Sequence, residues 1–240
     1  MVLVRVRWLS SVLTAGVVLG AAAAIAIAHP ETPLPDAWNP AKPLVISDPV
    51  TPLTGWKLRG ALSGGPACLA ALSEEPVQSL PPLVDTDTPA CGIRDRVRLT
   101  GVGDARLAPV ETDCAIALRL AMWERHGLQP DALRLLGTEI SEILHFQSYS
   151  CRPIRTMAGP GGRMSTHATG EAIDIAGFSL ADGRRLTLIS DWEGDGPEAA
   201  FLRATRDSAC RWFATTLGPD YNALHADHFH LQARGWGLCR

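Results

Sequence analysis

Two short segments carry residue types whose spacing could do chemistry. STHATGEAIDIAG (165–177) separates His167 from Asp174 by a glycine-containing turn, and HADHFH (225–230) supplies His225, His228 and His230. Imidazole nitrogens and a carboxylate oxygen, with one position left open, are the donor set of a catalytic zinc ion. Each piece alone is ordinary, because a single His or Asp beside a glycine is commonly a cap or a turn residue. The two segments together are specific.

The positions follow from period-two side-chain alternation in a strand. In EAIDIA, Ile173 and Ile175 face a core, so Asp174 points the other way between small Ala172 and Ala176. Those alanines leave room around the carboxylate for an ion. In HFHLQ, His228, His230 and Gln232 share one face, opposite Phe229 and Leu231. A solvent-facing polar strand is the competing reading of that face, though histidine is an unusual choice for one. Gly170 permits a sharp backbone path that returns His167 toward Asp174.

The surrounding pattern supplies the scaffold. A short helix is expected around PACLAALSEE, a strand at GIRDRVRLTGV, and a helix from about Thr112 to His126 closed by Gly127. TEISEILHFQSYSCR reads as one or two strands. EAIDIAGFSLADGRRLTLIS reads as a hairpin turning at Asp182-Gly183. The clearest long helix lies in GPEAAFLRATRDSACRWFATTLGP, opened by Pro197 and stopped by Gly218-Pro219, with HFHLQA as a final strand. This order lacks regular βαβ alternation and points to an α+β domain on a small antiparallel sheet flanked by helices.

The first 28 residues read as a targeting or anchoring segment. Arg5 and Arg7 precede an uncharged run from Trp8 to Ala28, which as a helix spans about 31 Å, near the thickness of a bilayer core. Its Ala26-Ile27-Ala28 end also suits signal cleavage. A membrane anchor and a cleaved signal both remain open, and either exports the rest of the chain. Residues 29–55 carry seven prolines and read as a semi-rigid tether or, in their second half, a tail laid on the domain. The globular domain is expected over 56–240.

Six cysteines (Cys68, Cys91, Cys114, Cys151, Cys210 and Cys239) all lie beyond the apolar run, and none forms a CxxC pair. Three disulfides in an oxidising compartment fit better than a thiolate metal site. Among the possible pairings the working expectation is Cys68–Cys91, Cys114–Cys151 and Cys210–Cys239. A formal charge of −3 without a dense basic patch argues against nucleic acid as a partner. The oligomeric state is left open.

The segment Ser165-Thr166-His167-Ala168-Thr169-Gly170-Glu171-Ala172-Ile173-Asp174 resembles the SxHxxGxAxD metal motif of zinc peptidases sharing the hedgehog/DD-peptidase fold. Those families include D-Ala-D-Ala carboxypeptidases and dipeptidases and the penicillin-insensitive murein endopeptidases. His225, His228 and His230 resemble the closing motif of the endopeptidase group. With SYSCRP (148–153), the combination is most similar to the bacterial extensin-like C-terminal domain family, over roughly residues 56–240.

The resemblance implies a hedgehog/DD-peptidase-like fold, with His167, Asp174 and His230 as Zn2+ ligands. It leaves two candidates for the base. Asp227 stands where the carboxypeptidases carry glutamate, while strand geometry favours His228, oriented by Asp227 or His225. Arg152 is implied to bind a peptide carboxylate or a developing oxyanion, against a plain surface role beside a disulfide. Ser165 and Tyr149 are supporting candidates, Tyr149 equally a core residue. The expected activity is zinc-dependent hydrolysis of peptidoglycan stem peptides at the cell envelope, on the periplasm-facing side, by an inner-membrane-anchored or secreted protein. The alternative is a zinc-containing wall-binding or structural module without turnover.

Overall fold

The structure, a computed structural model, describes residues 2–29 and 32–240, with side chains for residues 11–27, 29 and 32–240. The chain forms two compact units, Met1–Gly60 and Ala61–Arg240.

In the first unit, helix α1 (Val2–Ala28) contains the apolar run. Among the described residues no helix is long and apolar enough to cross a membrane. Side chains are described from Ser11 to Ile27, about 25 Å of helix against a hydrocarbon core of roughly 30 Å. Trp8 to Ser10 and Ala28, parts of the expected span, lie outside the described side chains. The proline-rich stretch is pinned within its own unit. The Thr51 amide donates to the Thr54 hydroxyl (2.8 Å), and the Thr51 hydroxyl donates to the Ala37 carbonyl (3.0 Å). Lys57, on helix α2 (Thr54–Ala61), is buried and donates to the carbonyls of Asp36 (2.5 Å) and Pro43 (3.4 Å).

The second unit opens with helix α3 (Gly65–Ala71) and strands β1 (Val77–Ser79), β2 (Leu83–Val84) and β3 (Gly92–Ile93). Strands β4 (Arg96–Val102) and β5 (Ala105–Asp113) lead into helices α4 (Cys114–Trp123) and α5 (Gln129–Leu136). Then come β6 (Ile140–His145), β7 (Pro153–Thr156), β8 (Gly159–Met164), β9 (Ala172–Leu180) and β10 (Arg185–Thr187). Helices α6 (Leu188–Asp191) and α7 (Pro197–Trp212) precede β11 (Thr215–Leu217), β12 (Phe229–Gln232) and β13 (Leu238–Cys239).

The α+β class holds, but the sheet is not small. Nine strands run in the order β1-β4-β5-β6-β9-β12-β11-β13, with β10 also on β9. Pairing is antiparallel except for β5–β6 and β11–β13. Short edge strands, which carry too little alternation to be read locally, account for the added width. Aromatic packing joins sheet to helices: Trp123 meets Phe178 of β9 and Phe213 edge-on at 6.1 Å each, and Phe178 meets Phe201 of α7 at 5.6 Å.

Three helix boundaries move for tertiary reasons. Gly127, expected to end a helix, lies inside a continuous path, because α4 passes through a π-helical turn (Glu124–Leu128) into α5. A Cβ on Gly127 would sit 2.8 Å from Ser208 Oγ of α7, so this glycine serves a close helix approach. The long helix stops at Trp212, since Thr215–Leu217 is buried as the strand pairing β12. LIS, expected in a strand, forms α6 with Asp191.

Two of the expected disulfides are corrected. The bridges are Cys68–Cys114, Cys91–Cys151 and Cys210–Cys239. Pairing of sequence neighbours gives way because α3 packs on the start of α4, bringing the Cys68 and Cys114 Cα atoms to 6.2 Å. The segment before β3 likewise lies beside the segment before β7, with the Cys91 and Cys151 Cα atoms 5.5 Å apart.

Asp113 caps α4 by accepting from the Ala115 amide at 2.9 Å. Burial first, then the charges of Glu171 and Asp95, push its carboxyl up to about 6. The folded state therefore favours protonated Asp113, and that stability is lost as pH rises from the ordinary carboxylate value through about 6. Asp113→Asn keeps a capping oxygen without the charge. It is expected to reduce the loss of stability between about pH 4 and pH 7 by about 1–2 kcal/mol, after discounting for partial exposure. Urea denaturation of both proteins across that range is the check.

Candidate functional site

Strand register puts the first two candidate donors opposite each other. β12 pairs with β9 so that His230 lies directly across from Asp174, which brings cross-strand side chains within reach. Their core-facing neighbours Ile173, Ile175, Phe229 and Leu231 are fully buried, so alternation holds the imidazole and the carboxylate on the other face.

His167 arrives on a 3-10 turn, Thr166–Thr169, that begins at Ser165 and ends at Gly170. The Ser165 hydroxyl accepts from the His167 amide at 3.3 Å. Gly170 has φ +65°, and a Cβ there would lie 3.0 Å from Ile93 Cγ1 and 3.1 Å from the Asp113 amide nitrogen. Only glycine takes that turn without strain. The Gly170 carbonyl is held by the Asp113 amide (3.0 Å) and the Thr112 hydroxyl (2.9 Å).

His167 donates its Nδ1–H to the Ser148 carbonyl at 2.7 Å, which leaves Nε2 as the lone-pair nitrogen facing the cluster. Such an outer partner fixes tautomer and ring plane in metal-ligating histidines. Ser148 is itself buried, its hydroxyl 2.6 Å from both the Thr112 hydroxyl and the Ala172 carbonyl. Sequence reasoning did not single out Ser148, because its function rests in a backbone carbonyl that any residue type possesses.

The three donor atoms form a tight triangle. His167 Nε2 lies 3.1 Å from His230 Nδ1 and 3.2 Å from Asp174 Oδ1, and His230 Nδ1 lies 2.8 Å from Asp174 Oδ1. Zinc bonds of about 2.1 Å at tetrahedral angles space donors roughly 3.4 Å apart, so small side-chain adjustments fit this triangle to the ion. Burial alone would push the Asp174 carboxyl up. The imidazoles of His167 and His230, 3.2 and 2.8 Å from its Oδ1, outweigh it and hold the group well below the usual carboxylate range. Burial pulls the His230 imidazole down, against the opposing pull of Asp174. A nearly buried anion beside two imidazoles has the donor chemistry a divalent cation takes, and binding would displace the proton His230 Nδ1 shares with Asp174.

His228 stands just outside the triangle, with Nε2 3.6 Å from Asp174 Oδ1. Its Nδ1–H donates to Asp227 Oδ1 at 2.8 Å, so Nε2 keeps its lone pair. Asp227 is half-exposed and acts on His228. The His225 ring lies 5.2 Å from that of His228 and 5.8 Å from that of His230. The His225 Nδ1–H donates to Asn222 Oδ1 at 2.8 Å. Burial, with the charges of His228 and His230, pulls His225 down to about 4.

Asp174, His225, Asp227, His228 and His230 line a cleft of about 560 Å³, with His167 buried behind them. Arg152 reaches its wall and, among the described residues, its side chain donates only to the neighbouring Pro153 carbonyl, at 3.2 Å. Ser165 also lines it, whereas Tyr149 does not and sits near Asp85 instead. Phe146, Tyr221 and the β7–β8 hairpin complete the walls. The hairpin is not legible in the sequence because PIRTMAGPGGRM lacks apolar alternation.

Neither the curated proteins nor the solved structures contain a match to this chain. Residues 66–240 match the family model described as extensin-like protein C-terminus, covering the candidate ligands, the histidine segment and all six cysteines, and the chain therefore belongs to that family.

Proposed function

We propose that this chain is an exported zinc-dependent peptidase acting on peptidoglycan stem peptides, with a distant relationship to the hedgehog/DD-peptidase fold. The observation that carries the reading is the His167–Asp174–His230 triangle, with the lone pair of His228 beside it in an open cleft. His167 Nε2, Asp174 Oδ1 and His230 Nδ1 would hold the ion. Zinc in such a site supplies Lewis-acid polarisation of a carbonyl and a lowered pKa for water. The chain's own groups do the rest. His228 takes a proton at Nε2 while Asp227 holds its ring and stabilises the resulting charge. Arg152 offers donors to a peptide carboxylate or a developing oxyanion. Export is supported by the pairing of all six cysteines as disulfides, which persist in oxidising compartments. An exported domain would act at the cell envelope, anchored or secreted.

A second reading, a zinc-containing wall-binding module without turnover, is favoured by one feature: the position of the carboxypeptidase glutamate holds Asp227, whose carboxylate is spent on His228. Purified full-length protein, assayed for zinc content and for peptide fragments released from isolated cell walls, separates the two. Bound zinc with new fragments supports the peptidase; bound zinc without product from any wall preparation supports the module; no bound metal after native purification overturns both.

A further inference from the structure

The β7–β8 hairpin places a second arginine at the cleft. Residues lining the cleft here include Arg152, just before β7, then Ile154, Arg155 and Thr156 of β7 and Met157 of its turn, residues of both parities, which a flat strand would send to opposite faces. The pairing register shifts between Pro153↔Met164 and Arg155↔Pro160, leaving extra residues in β8 around Gly161-Gly162. Such irregularities bend and twist a ribbon and re-aim its side chains. The base of the hairpin is fastened by Cys151–Cys91 and by the Ser165 amide donating to the Arg152 carbonyl at 3.0 Å.

The charge at this end of the cleft is unbalanced. Among the described residues neither Arg152 nor Arg155 has a carboxylate within ion-pair distance. The acids of the cleft are committed elsewhere, Asp174 to His167 and His230, and Asp227 to His228. Burial first, then the charge of Arg155, pull the Arg152 guanidinium down. Two unneutralised guanidiniums on one wall suit two anionic groups on a ligand, each held by charge-assisted hydrogen bonds.

We propose that Arg155 is a specificity-determining residue that selects peptides whose branching residue carries its own free carboxylate, in addition to the carboxylate met by Arg152. The inference rests on the stem-peptide reading of the same cleft and names the subclass it takes: stem peptides whose branching residue bears its own carboxylate.

The test uses two synthetic stem tetrapeptides identical except at the third residue, meso-diaminopimelate in one and lysine in the other. Their binding is measured calorimetrically to zinc-supplemented full-length His228→Ala protein, which keeps bound peptide intact, and to the same protein carrying Arg155→Gln. The diaminopimelate peptide is expected to bind at least about 10-fold more tightly. Arg155→Gln should erase that difference while changing the lysine peptide's affinity less than about 2-fold. Its exposed hairpin position makes unfolding a poor explanation for any loss, and an unchanged melting temperature checks this. Equal binding of the two peptides, or equal weakening of both by Arg155→Gln, overturns the specificity role and leaves the stem-peptide reading standing. Binding of neither peptide overturns both.

Discussion

His228→Ala is expected to keep zinc at one per chain while lowering peptide hydrolysis by about 10²–10⁴-fold, the usual contribution of a positioned general base. The geometry separates the two effects. The three close donors are His167, Asp174 and His230, whereas His228 Nε2 is 3.6 Å from the Asp174 oxygen and its Nδ1 is committed to Asp227. Removing the ring therefore takes away the lone pair facing the cleft without removing a vertex of the triangle. Asp227→Ala should cost less, about 10-fold, because it loosens a ring that also packs edge-on against Phe146 at 5.9 Å. Metal analysis and initial rates on the same preparations are the check. Loss of zinc in His228→Ala would make that histidine a fourth ligand, and full activity in it, with none in Asp227→Ala, would move the base to Asp227.

The second large effect is on metal affinity. Asp174→Asn is expected to weaken zinc binding by at least about 100-fold, since it removes the only anionic donor of the set. Asparagine preserves shape, so the change isolates charge. Asp174 donates no proton in this site: its carboxylate accepts from the His230 Nδ1–H at 2.8 Å, lies 3.2 Å from His167 Nε2, and is held ionised well below the usual range. An ion present at about 100 times its dissociation constant stabilises the fold by about 2.7 kcal/mol. A chelator should remove that increment from the unaltered protein and remove almost nothing from Asp174→Asn. The quantity compared is the chelator-induced shift in melting temperature, because the substitution also disturbs the hydrogen bonds of the zinc-free triangle. A chelator shift of equal size in both proteins would exclude Asp174 as a ligand.

Much of the ligand face was legible locally. Period-two alternation in AIDIA and FHLQ is a property of each strand by itself, so it puts Asp174 and His230 opposite the core-facing isoleucines and Phe229 before any partner is known. The Asp182-Gly183 turn and the opening of α7 at Pro197 are likewise set by backbone preferences at single positions. Other features needed information from distant segments. Thr215–Leu217 has helical spacing with the residues before it, yet sheet pairing with β12 makes it a strand. Gly127 looks like a helix stop, yet α7 uses it as a contact.

By itself the sequence determined which residue types are available and which face of each strand they occupy, along with the presence of six cysteines suited to pairing. The tertiary structure alone decided that β12 would register on β9 with His230 across from Asp174, and that Ser148 would offer its carbonyl to His167. It also decided that Cys68 would meet Cys114 and Cys91 would meet Cys151. The physical reason is the range of the forces involved. Alternation and turn preference act within a few residues, whereas register, disulfide partners and the walls of a cleft depend on how helices and sheet share one buried core.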